Sequence, residues 1–242
     1  MRLLLLGGTA EARELAAALY PAVEVISSLA GRVPHPALPM GQVRIGGFGG
    51  AQPLRQYLCD NGIDAVIDAT HPFASAITAR AARVCAETGV PHLVLTRPAW
   101  EPGDAKLVSS VTEAAETIEK RRYSRVFLTS GRSGVAAFAH SGAWFLIRVV
   151  TEPGAQELPP RHTLLLSRGP YRYDDELALL RDHRIDVLVT KNSGGRLTRA
   201  KLDAAAALGV PVIMVRRPAL PEGITTVATV EEAAEWVSRL AR

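Results

Sequence analysis

Cysteine is scarce in this sequence. Its two residues, Cys59 and Cys85, form no C-x-x-C and no zinc-ligand spacing. A disulfide framework and a structural zinc site are therefore disfavoured, and both thiols are expected as small core residues. Aromatic residues are few, 5% of the chain, and the arginines are scattered rather than clustered, which argues against nucleic acid as a partner. Long apolar runs are missing too. No stretch reaches the ~20 residues that span a bilayer. The N-terminal run over residues 3–6 ends at Gly7-Gly8, short of the ~7–15 apolar residues of a signal-peptide core. These absences predict a cytoplasmic protein without a membrane partner. No coiled-coil seam or apolar stripe speaks to an oligomeric state. What remains is ordinary globular material: 242 residues, 48% hydrophobic and 21% charged, enough for one large domain or two small ones.

Charge is unevenly spread. Residues 1–121 carry 11 Lys/Arg against 12 Asp/Glu, and residues 122–242 carry 17 against 12. The second half is where an acidic ligand would be drawn, unless the excess serves solubility alone. The two halves are also related. Ile63-Asp64-Ala65-Val66-Ile67 returns as Ile185-Asp186-Val187-Leu188-Val189, and Gly89-Val90-Pro91 as Gly209-Val210-Pro211. Arg97-Pro98-Ala99 returns as Arg217-Pro218-Ala219, and Val111-Thr112-Glu113-Ala114-Ala115-Glu116 as Val230-Glu231-Glu232-Ala233-Ala234-Glu235. Four matches in one order at nearly one offset indicate a duplication. The expected boundary lies in the polar stretch Lys120-Arg121-Arg122-Tyr123-Ser124, giving domains 1–122 and 123–242.

Each half alternates short Val/Ile/Leu-rich runs with Ala-rich helical stretches. Strands are expected over 2–6, 23–27, 65–69 and 92–96, then 125–129, 145–150, 187–190 and 212–215. Helices are expected over 10–19, 51–61 and 74–88, then 135–139, 174–182, 197–208 and 231–241. Alternating βα units imply parallel sheets with right-handed crossovers. The fold class is therefore α/β, with two related doubly wound, Rossmann-like domains facing each other across a cleft. Ligands of such sheets bind beyond the carboxyl ends of the strands, so the strand-to-helix loops are read for chemistry.

The first loop, Gly7-Gly8-Thr9-Ala10, opens a helix directly after the first strand. Glycine permits close backbone approach, and a helix start offers free N–H groups and a positive dipole end. The loop is either a pyrophosphate site or a plain turn capped by Thr9. The second loop, Ser27-Ser28-Leu29-Ala30-Gly31-Arg32, lacks the acidic residue that holds a ribose 2′-hydroxyl in NAD sites. Ser28 and Arg32 suit a 2′-phosphate instead, favouring NADPH over NADH. The third, Gly46-Gly47-Phe48-Gly49-Gly50, leaves backbone free to lie along a planar ligand, with Phe48 either on a ring or in the core. The fourth, Asp68-Ala69-Thr70-His71-Pro72, ends a buried strand. There His71 is a nicotinamide contact, a proton donor or a helix cap, and Asp68 orders the loop. In the second half, Arg132, Arg168 and Lys191 follow strands beside Gly131, Gly169 and the run Asn192-Ser193-Gly194-Gly195. Converging basic loops of this kind suit a polycarboxylate.

These loops together resemble the precorrin-6A reductases of cobalamin biosynthesis. The carriers are GGTAEAR at 7–13, SLAGR at 28–32, GGFGG at 46–50, DATHPFA at 68–74, RPAW at 97–100, RGP at 168–170 and KNSGG at 191–195. The resemblance implies hydride transfer from NADPH to a carbon–carbon double bond of the precorrin-6A ring, a carboxylate-rich tetrapyrrole, giving precorrin-6B. Relatives acting on the cobalt-containing ring with NADH are the nearest alternative. Against that background Gly7, Gly8, Thr9 and Ala10 are expected at the pyrophosphate, Ser28 and Arg32 at the 2′-phosphate, and Gly47, Phe48, Thr70 and His71 at the nicotinamide end. Arg132, Arg168, Lys191, Asn192 and Ser193 are expected to grip substrate, with His71, Lys191 or solvent as the proton donor and no protein-bound metal. A two-lobed nucleotide-sugar transferase and a non-catalytic binding protein are the readings from other classes.

Overall fold

Four consecutive leucines fill β1 (Arg2–Leu6), and all four are buried. Successive side chains of a strand point to opposite faces. Leu3 and Leu5 accordingly join Leu15, Leu19, Ile67 and Leu93 in one apolar cluster. Leu4 and Leu6 join Ile26, Leu54, Leu58 and Val84 in another. Both faces of the sheet are covered, which is why the strand reads as an unbroken apolar run. Each buried leucine contributes about 1.5–3 kcal/mol relative to exposure.

The computed structural model describes residues 1–31 and 37–241. β1 is followed by α1 (Ala10–Leu19), β2 (Glu24–Leu29), β3 (Gln42–Ile45), α2 (Ala51–Asp60), β4 (Ala65–Asp68), α3 (Ser75–Thr88) and β5 (His92–Leu95). Then come β6 (Lys106–Val108), α4 (Val111–Arg121), β7 (Arg125–Leu128), β8 (Trp144–Val149), β9 (His162–Leu166) and α5 (Tyr173–Asp182). The chain ends with β10 (Val187–Lys191), α6 (Ala200–Ala207), β11 (Val212–Val215), β12 (Thr225–Val227) and α7 (Val230–Leu240). Two six-stranded sheets result, in the orders β12-β5-β4-β1-β2-β3 and β6-β11-β10-β7-β8-β9, with every pairing parallel. The expected pair of parallel-sheet α/β domains is therefore present.

The duplication is visible in side-chain geometry. Asp64 accepts from the Arg2 amide at 2.7 Å, while Asp186 accepts from the amides of Ser124 and Arg125 at 2.8 and 3.1 Å. Arg2 donates to the Asn61 carbonyl and Arg125 to that of His183. Gly89 and Gly209 both stop helices at positive φ, 72° and 64°. Such backbone carries little steric cost only in glycine.

The units are not the two contiguous halves, however. Unit 1 comprises residues 1–98 and 218–242, and unit 2 residues 99–217. The crossings fall at the two Arg-Pro-Ala repeats rather than between 120 and 124. Each repeat sends its last strand and helix to the other unit. β12 pairs with β5, and α7 buries Ala233 and Val237 against Leu15 and Leu19. β6 pairs with β11 in the second sheet. The sequence repeat counts along the chain, whereas a sheet is closed by whichever strand meets its open edge.

Smaller differences have local causes. The helix expected over 135–139 is two short 3₁₀ turns, Arg132–Gly134 and Ala136–Phe138. The short strands β3, β6, β9 and β12 were not delimited by apolar pattern, and most of their residues are only half-buried or exposed. Cys85 is buried as expected, and burial pushes its thiol up to about 12. Cys59 is exposed on α2, not in the core. Among the described residues no helix is long and apolar enough to cross a membrane.

Candidate functional site

In unit 1 the carboxyl ends of β1, β4 and β5 form a shallow notch lined by Thr9, Glu11, Thr70, Pro72, Thr96 and Arg97. Its floor is the turn into α1. The Gly7 amide donates to the Ser28 carbonyl at 3.0 Å, joining the β1 turn to β2. Gly8 takes φ +112°, and a Cβ placed there would meet nothing within 4 Å. The turn is therefore open on that side, and the first amides of α1, beginning at Ala10, remain available to an anion. The Thr9 hydroxyl accepts from the Ala12 amide at 3.1 Å and donates to the Ala69 carbonyl at 2.7 Å. It caps α1 and ties the first loop to the fourth. Arg97 reaches Glu11 at 2.9 Å. These features suit a pyrophosphate bound by backbone rather than by the threonine hydroxyl.

In the fourth loop Asp68 is buried at the end of β4. Its Oδ1 accepts from the Thr70 amide at 2.9 Å and from the Thr70 hydroxyl at 2.6 Å, an ordering role. His71 is exposed, and its Nδ1 accepts from the Phe73 amide at 3.2 Å. With Nδ1 as acceptor, the neutral ring carries its proton on Nε2. His71 thus braces the turn ahead of α3, whose N-cap, Ala74, has no side-chain cap.

The second and third loops meet on Arg44. Its Nη1 donates to the Ser28 hydroxyl at 3.0 Å and to the Gly46 carbonyl at 2.5 Å, and its Nη2 to the Gly47 carbonyl at 3.1 Å. The guanidinium lies 3.8 Å over the Phe48 ring. Phe48 itself is buried among Leu54, Leu58 and Ile26 and stands edge-on to Tyr57. It is a core residue that supports a cation. Arg32, expected at the 2′-phosphate, lies outside the described residues.

In unit 2 the basic loops stand at the carboxyl ends of parallel strands, hence on one edge of the sheet. Arg132 follows β7 and Arg168 follows β9, and both are exposed. Lys191 ends β10, half-buried, and desolvation lowers its pKa. Asn192, expected as a substrate ligand, is 8% exposed. Its Oδ1 accepts from the Trp100 amide at 2.8 Å and its Nδ2 donates to the Trp100 carbonyl at 2.9 Å. The Trp100 indole donates to the Gly195 carbonyl at 2.7 Å, and Arg217 donates to the carbonyls of Asn192 and Ser193 at 2.8 and 3.0 Å. Asn192 thus clamps the loop, and Lys191 and Ser193 flank that clamp. Among the described residues no cluster of three His, Cys, Asp or Glu is placed to hold a metal.

A search for relatives matches residues 2–238 to the family described as precorrin-6x reductase CbiJ/CobK. The chain belongs to the precorrin-6x reductase family. A precorrin-6A reductase of Mycobacterium tuberculosis (strain CDC 1551 / Oshkosh) is 65% identical over 239 residues, covering 99% of this chain and 98% of that protein. One from Rhodococcus erythropolis is 54% identical over 247 residues, covering 100% and 99%. Among solved structures, a CobK precorrin-6A reductase superposes with a TM-score of 0.91 at 38% identity, covering 99% of this chain and 97% of that one. Membership in a reductase family displaces the transferase and binding-protein readings.

Several contacts that organise the loops of this reductase-family chain lie outside the predicted set. Arg44 and Arg148 are single charged residues inside strands, where sequence shows only an interruption, and Glu176, the buried partner of Arg148, lies in the acidic first turn of α5. Lys201, buried on α6, donates to the Thr198 carbonyl at 2.6 Å and lies 4.6 Å from the Trp100 ring centroid. Arg217 had a usable signal, since it opens the second Arg-Pro-Ala repeat.

Proposed function

We propose that this protein reduces precorrin-6A to precorrin-6B with NADPH in cobalamin biosynthesis. Family membership supports the reductase class and, through the relatives' printed names, the substrate. The open turn at Gly8 leading into α1 is the structural observation that carries the nucleotide reading.

The bound nicotinamide would supply the hydride added to one carbon of the double bond. The chain's own residues position and protonate. Amides of residues 7–10 hold the pyrophosphate, with Thr9 fixing the turn. Ser28 and Arg32 hold the ribose 2′-phosphate. Thr70 and His71 border the nicotinamide end, while Gly47 and Phe48 belong with Arg44 and Ser28 at the ribose end. In unit 2, Arg132, Arg168 and Ser193 engage substrate carboxylates, and Asn192 holds Lys191 in place. The positive balance of unit 2, 18 Lys/Arg against 13 Asp/Glu, favours such a ligand electrostatically. A proton must reach the second carbon. Lys191, His71 or solvent gives it, and the lowered pKa of Lys191 brings its ammonium closer to a working donor. Because these assignments hold whether or not the ring carries cobalt, the metal-free substrate follows the relatives' names alone. A cytoplasmic setting accords with that chemistry.

Purified protein mixed with precorrin-6A and NADPH should lose nicotinamide absorbance in step with formation of precorrin-6B. NADPH should also bind roughly 10-fold or more tightly than NADH. Single-turnover traces of Lys191→Ala and His71→Ala should show at least one slowed chemical step. Absence of turnover with saturating NADPH and precorrin-6A would overturn the assignment.

A further inference from the structure

We propose that Arg44 is the side chain that reads the ribose 2′-phosphate and so sets the preference for NADPH over NADH. The inference rests on the nucleotide reading of unit 1 and adds a residue to it. Arg44 sits near the carboxyl end of β3, in register with Ser28 on β2. In doubly wound nucleotide folds the ribose is held just beyond the second strand, so the guanidinium stands beside the place a 2′-phosphate would occupy. It is held rigidly by the Ser28 hydroxyl, the carbonyls of Gly46 and Gly47, and the faces of Phe48 and Tyr57. A guanidinium has five N–H donors in a planar fork suited to phosphate. Three donor contacts are accounted for, all to neutral oxygens. Among the described residues no carboxylate lies within ion-pair distance of it.

Unit 2 provides an internal control. Ser28 is the fifth residue of β2, and Arg148 is the fifth residue of β8, the corresponding strand. There the guanidinium is neutralised by Glu176, the fourth residue of α5, through bonds of 3.0 and 2.6 Å. The fourth residue of α2, the corresponding helix, is Leu54. Unit 1 thus keeps a cation on this edge and omits the carboxylate that would satisfy it. A cation fixed by neutral groups at a nucleotide-binding edge is completed by an anionic ligand group.

The test is equilibrium titration of wild type, Arg44→Gln and Arg44→Lys with NADPH and with NADH, followed by nicotinamide fluorescence. Adenosine 2′,5′-bisphosphate and 5′-AMP serve as competitors. Arg44→Gln should weaken NADPH and the bisphosphate roughly 10–100-fold while leaving NADH and 5′-AMP unchanged. Arg44→Lys keeps the charge without the fork and should fall between. In wild type, NADPH affinity should decline as pH drops through the second phosphate pKa of ~6, and in Arg44→Gln that decline should be clearly shallower, Arg32 alone remaining. Equal loss of both nucleotides would make Arg44 a scaffold of the glycine loops and overturn the proposal. So would a wild type that does not distinguish NADPH from NADH, or a variant that binds both unchanged. A wild type that binds neither nucleotide would instead sink the nucleotide reading of unit 1.

Discussion

Units 1 and 2 share a strand order, a duplicated set of Asp and Arg anchors and a pair of exchanged terminal helices, yet their carboxyl edges differ. After β1, the chain passes through Gly7-Gly8 into ten residues of regular helix capped by Thr9. After β7, it passes through Ser130-Gly131 into two 3₁₀ turns with no side-chain cap. At the β2–β3 edge a guanidinium is held by neutral oxygens. At the β8–β9 edge Arg148 and Glu176 are 5% and 1% exposed and bonded to one another, and Arg148 lies 4.0 Å over the Tyr171 ring. One framework leaves a helix start and a cation on its edge, which the proposed reading gives to an anionic nucleotide, while the other is closed by its own charges. Topology alone does not make a dinucleotide site. A helix start with free amides and a cation left for the ligand are also needed.

The closed edge of unit 2 is where the largest effect is expected. Glu176→Ala leaves Arg148 charged, buried and unpaired, and should cost about 3–5 kcal/mol of stability. A urea-unfolding series checks this, and nucleotide affinity of the folded fraction should stay as in wild type. A mild loss, or a loss of nucleotide affinity, would break the distinction between the edges. A smaller effect tests what the units share. Glu232 accepts from the amides of Ala228 and Thr229 at 2.8 and 3.0 Å, and these bonds hold its carboxyl below the usual 4.5. Glu113 is lowered likewise, first by the Ser109 hydroxyl and then by its amide. Lowered carboxyls stabilise fully above the unfolded value, and that contribution is lost as pH falls through the folded one. Glu232→Gln and Glu113→Gln should therefore each be less stable than wild type at neutral pH, and the gap should close as pH falls below 4.5. Thermal melts across that range read it out. Dissimilar behaviour would mean that the exchanged helices are anchored differently.

Much of this organisation was legible in the sequence, for identifiable reasons. Buried parallel strands such as β1, β4 and β10 are short, apolar and bounded by loops, and their extents emerge within a residue or two. The order of glycine and basic loops carried the family resemblance, because those residues follow strands directly. The partition into units was not legible. A repeat of about 120 residues gives no sign that β6 and β12 change places, since a strand of three residues carries almost no pattern. Arg44 was hidden for a related reason: β3 is a half-exposed edge strand, and an arginine there reads as a solvated side chain. Asn192 reads from sequence as a loop ligand, but its commitment to the Trp100 backbone depends on a contact 92 residues away, which no local pattern encodes.

Unit 1, and not its structural twin, is the proposed seat of the nucleotide. Hydrogen–deuterium exchange of the protein with and without saturating NADPH tests it without any substitution. Added protection is expected at the amides of residues 7–12 and 27–31, with residues 130–138 unchanged. Protection at 130–138 with none at 7–12 would contradict it.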